Sequence, residues 1–431
     1  DFATITNGYT NLASGRFSFI GNGRSNIVRG EYAFIGGGKS NICGEAGTTG
    51  AKGFIGGGQF NQVLDDYAVV VGGSGNKALG KFTFVGGGKN NTAGGSGTGA
   101  FVGGGYFNMA TGTYSVVVGG TGNKALNSCT FIGGGKSNLV TGSYSVVVGG
   151  SANEATNRCV FVGGGQYNVA SGQHSTIGGG RNNDALASYS FVGGGKNNTA
   201  EGISSTIAGG NFNVISAVNN NTFIGGGVSN KITGGVVGRN VICGGFANKM
   251  VDKYDMFLGG GRRNTAASSI SVLCGGQYNK IEAGTHIFLG GGKLNVATGS
   301  YSVLVGGSAN KSIAEWAFVG GGRSNSVTGS YGTVVGGSGN RVLAYGAFIG
   351  GGRNNTARGN GLCGMIGGGA RNIVSGFYAT VGGGNSNISS DSYSVVCGGL
   401  YNRASNQKSF VGGGESNTAS NIGSVVVGGY L

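Results

Sequence analysis

Fourteen carboxylates, two histidines and seven cysteines are the residues of this chain from which covalent or acid–base chemistry would have to be built. Hydrolysis of a glycosidic bond needs two carboxylates held at a defined separation. Here the acids are scattered, and Asp65-Asp66 is the only adjacent pair. It falls in a turn region and reads as a solvated turn. His174 and His286 are far apart in sequence, so they do not combine into a histidine-based zinc site. No nucleophile elbow or phosphate loop appears with the strand-to-helix context it requires. The many GxGxxG-like matches follow from glycine content alone. The expectation is a protein that is not an enzyme, with no cofactor, no metal site and no small-molecule substrate.

The cations are more orderly. Counted from a recurrent Asn, Lys89, Lys136, Arg181, Lys196, Arg262, Lys293, Arg323 and Arg353 all stand two residues before it, as does Lys39. Lys77, Lys124, Lys249, Lys280, Lys311 and Arg341 stand one residue after it. The first eight form a candidate polyanion track along one edge. A formal charge of +15, from 29 Lys+Arg against 14 Asp+Glu, suits an acidic partner such as an anionic glycan, a lipid headgroup surface or nucleic acid. Solubility is the other reason for an exposed turn to carry charge. Aromatics do not clearly interleave with the track, as binding of single strands would require.

The elements that must position these residues come from one repeat. The recurrent Asn occupies 27 positions from Asn11 to Asn417, mostly 15 residues apart, with exceptions of 16 to 20. Composition fits a thin, regular core. There are 102 Gly and no Pro, which excludes collagen, and 38% hydrophobic against 10% charged residues argues against disorder. In the unit Ser143–Asn157, Tyr144–Val148 reads as a short strand rich in β-branched residues. Gly149-Gly150 then makes a corner, since Gly takes φ > 0 freely. Ala155 marks a second inward stretch, and a second turn, often at Gly142 or its equivalents, closes the coil. No segment keeps a helical period. The expected fold is all-β: a parallel β-solenoid of about 27 coils, forming a single domain over 1–431. A coil rise of about 4.8 Å would make a rod of roughly 130 Å.

The recurrent Asn, exemplified by Asn76, Asn123, Asn153, Asn183, Asn310 and Asn340, is expected to form a structural ladder. Stacked amides hydrogen-bond along such a stack, and Asn tolerates left-handed turns. A second order sits above the unit. Five residues before the Asn most units have Gly, but others have Val or Cys, as at Val118, Val148, Cys243 and Cys274. The Gly units carry Phe at −7, as at Phe131 and Phe161, and the Val units more often Tyr at −9, as at Tyr114 and Tyr144. The coil is therefore 15 residues with two alternating kinds, or alternatively 30 residues. A 30-residue coil would bring Cys129 and Cys159 onto adjacent rungs, within disulfide range; a 15-residue coil would hold them about 9.6 Å apart. The cysteines follow the grid and read as small hydrophobes in core or ladder positions. Extra residues fall after the Asn, around 44–53, 94–99, 216–221, 234–240 and 359–361. They mark one edge, which fits a binding face or neutral loop tolerance.

The run Ala110-Thr111-Gly112-Thr113-Tyr114-Ser115-Val116-Val117-Val118-Gly119-Gly120, followed by Asn123-Lys124-Ala125, resembles the head repeats of trimeric autotransporter adhesins of the YadA type. It is also similar to Gly-Gly-Gly/Asn fibre repeats of phages and large viruses. The resemblance covers the whole chain, without a heptad stalk, neck or membrane anchor. It implies a left-handed parallel β-roll, a homotrimer, and attachment to host or neighbour surfaces. No stretch resembles a signal peptide or transmembrane helix. The chain begins at Asp1, so it reads as a processed, trimmed or incomplete product. Its ends look uncapped, which suits contact with other subunits. The expected function is a non-enzymatic fibre or adhesin rod, extracellular, on a cell surface or on a virion surface. It would present a repetitive surface, with an anionic glycan or host cell surface as partner. The alternative is a structural subunit of a head-to-tail self-assembling filament without a specific ligand.

Overall fold

A computed structural model describes residues 2–45, 52–95, 97–216, 220–234, 238–251, 253–359 and 362–430. The described residues contain strands and turns and no helix. The chain is a parallel β-solenoid of about 27 coils. Its coils group into two compact units, Asp1–Asn213 and Val214–Leu431, each a stack of the same coil.

The coil is 15 residues long, because strand partners are 15 residues apart. Phe131 pairs in parallel with Val146, and Ile132 with Val147; on another face Lys124 pairs with Leu139, and Ala125 with Val140. A third face carries single-residue bridges at position −2, counted from the recurrent Asn, such as Lys136 to Ser151. The 30-residue alternative is thereby excluded. Cys129 and Cys159 lie two coils apart with Tyr144 between them, and both are free thiols.

Each two-residue strand turns one side chain in and one out, as the pleat demands. Ile132 and Val147 at position −6 and Ala125 and Val140 at +2 are fully buried. Their partners Phe131 and Lys124 face outward. A small residue at −8 fills the remaining interior, as with Ser115 and Ala33. The core is thus a few columns wide, and stacking identical coils makes it continuous within each unit.

The sequence expectation that both glycines of the pair form the corner needs correction. Gly150 has φ +87, and a Cβ there would lie 2.1 Å from the Gly165 carbonyl oxygen. At Gly149 a Cβ would meet nothing within 4 Å. The second glycine therefore carries the steric demand. The ladder asparagines are not left-handed either. That conformation belongs to the residue just before, as at Ala152 (φ 53) and Ser137 (φ 56), and to position −9, as at Tyr144 (φ 60).

The two kinds of coil have a packing cause. At Gly133 a Cβ would lie 2.3 Å from the Val148 carbonyl oxygen of the next coil and 3.4 Å from the Phe131 ring. The same pair of obstacles recurs at Gly163, Gly290 and Gly320. Position −5 thus has no room for a side chain in a Phe coil. Side chains at −5 never occupy two consecutive coils in this sequence. Gly133→Val would place them on three, and it is expected to destabilise by about 3 kcal/mol. Phe131→Val should not rescue it, because the carbonyl is the nearer obstacle. Chemical denaturation of the single and double variants reads both effects, and full rescue by the second change would refute the account.

The longer spacings all enter at one phase, between +2 of one coil and −7 of the next. Strand register is kept across them: Cys43 pairs with Val63, and Ile35 with Ile55, across the longest. Within the insertion segments, residues 46–51, 96, 217–219, 235–237 and 360–361 lie outside the described residues.

Candidate functional site

The asparagine ladder is an interior structure. Asn76, Asn123, Asn153, Asn183, Asn310 and Asn340 are all completely buried. In each case the backbone N–H donates to the side-chain oxygen of the preceding coil's Asn, as Asn153 N–H does to Asn138 Oδ1 at 3.0 Å. The Nδ2 group donates twice. Asn153 Nδ2 reaches the Gly149 carbonyl at 2.9 Å within its coil and the Gly165 carbonyl at 3.0 Å on the next. Asn310 and Asn340 repeat the pattern in the second unit. The main link is therefore backbone to side chain, with direct amide–amide bonds only at some coils, such as Asn168 Nδ2 to Asn153 Oδ1 at 3.1 Å. Every Asn bond is satisfied by protein, which leaves nothing to hold a ligand.

Position −9 forms an outward aromatic row. His286, Tyr301, Trp316 and Tyr331 stack face to face, with centroid separations of 4.8, 4.3 and 6.1 Å. His174 stacks on Tyr189 in the same way at 5.0 Å. Both histidines are thus members of this row. Among the described residues no group of three or more His, Cys, Asp or Glu is placed to hold a metal ion.

The carboxylates stay apart from the histidines. Asp66 lies 3.9 Å from Lys81. Arg239 holds Asp255 through two hydrogen bonds at 3.1 and 3.3 Å, which keeps that carboxyl below its usual range. The pair borders an open cavity of about 310 Å³ with Asn221, Gly238 and Tyr254. Sequence spacing did not flag Asp184. Its partly buried setting, and then the nearby Glu201, push its carboxyl up. The signal was available: Asp184 stands at +1 and Glu201 at +3 of the following coil, which meet once the coil is 15 residues.

Only Cys43 joins the core, and burial pushes its thiol up to about 12. Cys243, Cys274 and Cys397, expected to be core or ladder residues, stand exposed in the −5 row. Because the thiolate is the reactive form, iodoacetamide at neutral pH should alkylate Cys243, Cys274, Cys363 and Cys397 and spare Cys43 in the folded protein. Mass spectrometry of the labelled peptides checks this; labelling of Cys43 at the rate of Cys397 would contradict it.

The basic residues lie where coil phase puts them. Lys89, Lys136, Arg181, Lys196, Arg262, Lys293, Arg323 and Arg353 are all exposed members of the −2 bridge ladder. Only Arg181 and Lys196 are direct neighbours; the others are separated by at least one uncharged coil. Lys77, Lys124, Lys249, Lys280, Lys311 and Arg341 line the adjoining face at +1, also exposed. Between the two rows runs the corner at position −1. Beside it lies a groove that sequence reading did not anticipate. In the second unit a hollow of about 400 Å³ is walled by Ala309, Ser324 and Gly339 on one side and Lys311, Ser326 and Arg341 on the other. A hollow of about 350 Å³ occupies the same phase around Lys77, Asn90 and Thr92 in the first unit.

Comparison with protein-family models finds no match, and comparison with curated proteins finds none.

Proposed function

We propose that the chain is a non-enzymatic fibre or adhesin segment that presents a repetitive surface for attachment outside the cell or on a virion. The observation that carries this reading is the registration of exposed side chains into rows. Each 15-residue step returns a residue of the same class to the same face, as in the run from His286 to Tyr331. A multivalent surface of this kind gains avidity from many weak contacts rather than from one deep pocket. The exposed Phe and Val side chains at −7 and −5, such as Phe131, Val148 and Phe161, give copies of the chain an apolar face through which to associate. Association into trimers is the form that the head-repeat resemblance implies.

Beads coated with the full chain should adhere to cells under flow, and soluble chain should compete. Adhesion no better than that of beads carrying an unrelated protein of equal positive charge would overturn the reading. Sedimentation of the soluble chain tests the self-association separately.

A further inference from the structure

The two basic rows are interlocked in one stretch of the second unit. Coil by coil from Asn248 to Asn355, the cation is Lys249, Arg262, Lys280, Lys293, Lys311, Arg323, Arg341 and Arg353. The odd members stand at +1 and the even members at −2, so they alternate across the corner. Eight consecutive coils thus carry one such cation each. At about 4.8 Å per coil the stripe is about 34 Å long, and each side repeats every ~9.6 Å. No side chain at −2, −1 or +1 in these coils is acidic, and Arg263 adds a further charge at −1. Among the described residues, Lys280 alone of the eight has a carboxylate within ion-pair reach, Glu282 at 3.1 Å. The groove between Ala309, Ser324 and Gly339 and the Lys311–Arg341 wall lies inside this stripe.

The first unit lacks such a stripe. Its +1 row is interrupted by Glu154 and Asp184, and Tyr106 and Gln166 hold −2 positions on coils without a cation at +1.

We propose that this corner binds a linear anionic polysaccharide laid along the solenoid axis, with its carboxylate or sulfate groups on alternate sugars meeting alternate sides. The proposal rests on the attachment reading above and names its ligand. One sugar ring of an extended chain is about as long as one coil is high, so charge on every second ring matches the repeat of each side. Single-stranded nucleic acid fits less well, because such sites supply aromatic faces for bases. The middle of the corner offers Ala309, Ser324, Gly339 and Asn354 instead. Arg and Lys then act as salt-sensitive contacts whose counterions are released on binding.

The test uses the full chain and heparin oligosaccharides eight sugars long, with neutral dextran and a single-stranded DNA of equal charge as the comparison probes. Heparin should bind, weaken steeply as salt is raised, and exceed the DNA. The double variant R323E/R341E should lose about tenfold or more in affinity, whereas K124E/K136E, on the same rows of the first unit, should lose less than about threefold. Equal loss from both variants would reduce the effect to net charge and overturn the site. DNA binding as tight as heparin would overturn the glycan, and no heparin binding at low salt would overturn both. All four positions are exposed, and unchanged circular dichroism confirms folding. A chain that mediates bead adhesion but ignores heparin would refute this inference alone.

Discussion

Gly150→Ala should unfold its coil and the neighbours stacked on it, whereas Gly149→Ala should stay within about 1 kcal/mol of the parent. The two residues are adjacent and chemically identical, so only their places in the coil separate them. Gly150 sits at φ +87, where an L side chain is strained. Its new Cβ would stand 2.1 Å from the Gly165 carbonyl and 2.6 Å from Asn153 Nδ2. That carbonyl already accepts from Asn153 Nδ2 and from the Ser151 N–H. Pushing it away therefore breaks ladder bonds as well as adding strain, for a loss of about 4 kcal/mol. Stability in a repeat array is set by nearest neighbours, so the damage is local. Hydrogen exchange resolved by peptide should show lost protection around residues 135–165 in the Gly150 variant alone. Matching behaviour of the two variants would refute the assignment.

Asn153→Ala is the second large effect. The side chain's Oδ1 accepts from the Asn168 backbone N–H at 3.0 Å and from its Nδ2 at 3.1 Å. Its own Nδ2 serves two carbonyls. Truncation strands a buried donor and two acceptors with no water at hand, a loss of about 3 kcal/mol. Asn153→Asp separates the two halves of this role. It keeps the acceptor but removes the donors and buries a charge. Burial raises the folded-state carboxyl above its unfolded value near 3.9. The variant's stability is then greatest below that value and is lost as pH rises through the raised one. At neutral pH it should be less stable than Asn153→Ala, and the gap should close on acidification. Urea midpoints of the two variants across pH check the sign; a gap that widens in acid would disprove it.

The coil length, the buried columns at −6 and +2 and the Asn ladder were legible because each recurs at one phase. Ile132 and Ala125 declare themselves by repetition alone. What sequence could not resolve is which backbone atom sits above a given position. Gly149 and Gly150 look equivalent until the Gly165 carbonyl is placed over one of them. The alternation of Gly133 and Val148 was visible, but its cause is a contact between successive coils. The basic track was read along −2 alone. Its meaning changed when Lys311 and Arg341 were found to wall a groove beside the corner. Likewise Asp184 and Glu201 are 17 residues apart in the chain, yet near enough for one charge to act on the other.

The direction of the hydrogen bonds has a mechanical consequence. Within each unit they run from coil to coil, as from Phe131 N–H to the Ser145 carbonyl and from Leu139 N–H to the Asn153 carbonyl. Tension applied through a chain end loads the outermost coil's bonds one after another, like a zip, rather than all together in shear. Each coil that peels away releases its 15 residues, about 50 Å of extended strand, in exchange for about 4.8 Å of stack. A tether built this way lengthens in even steps under load and can rewind when the load falls. Attachment would then be kept by yielding, with the folded remainder still holding its rows in register.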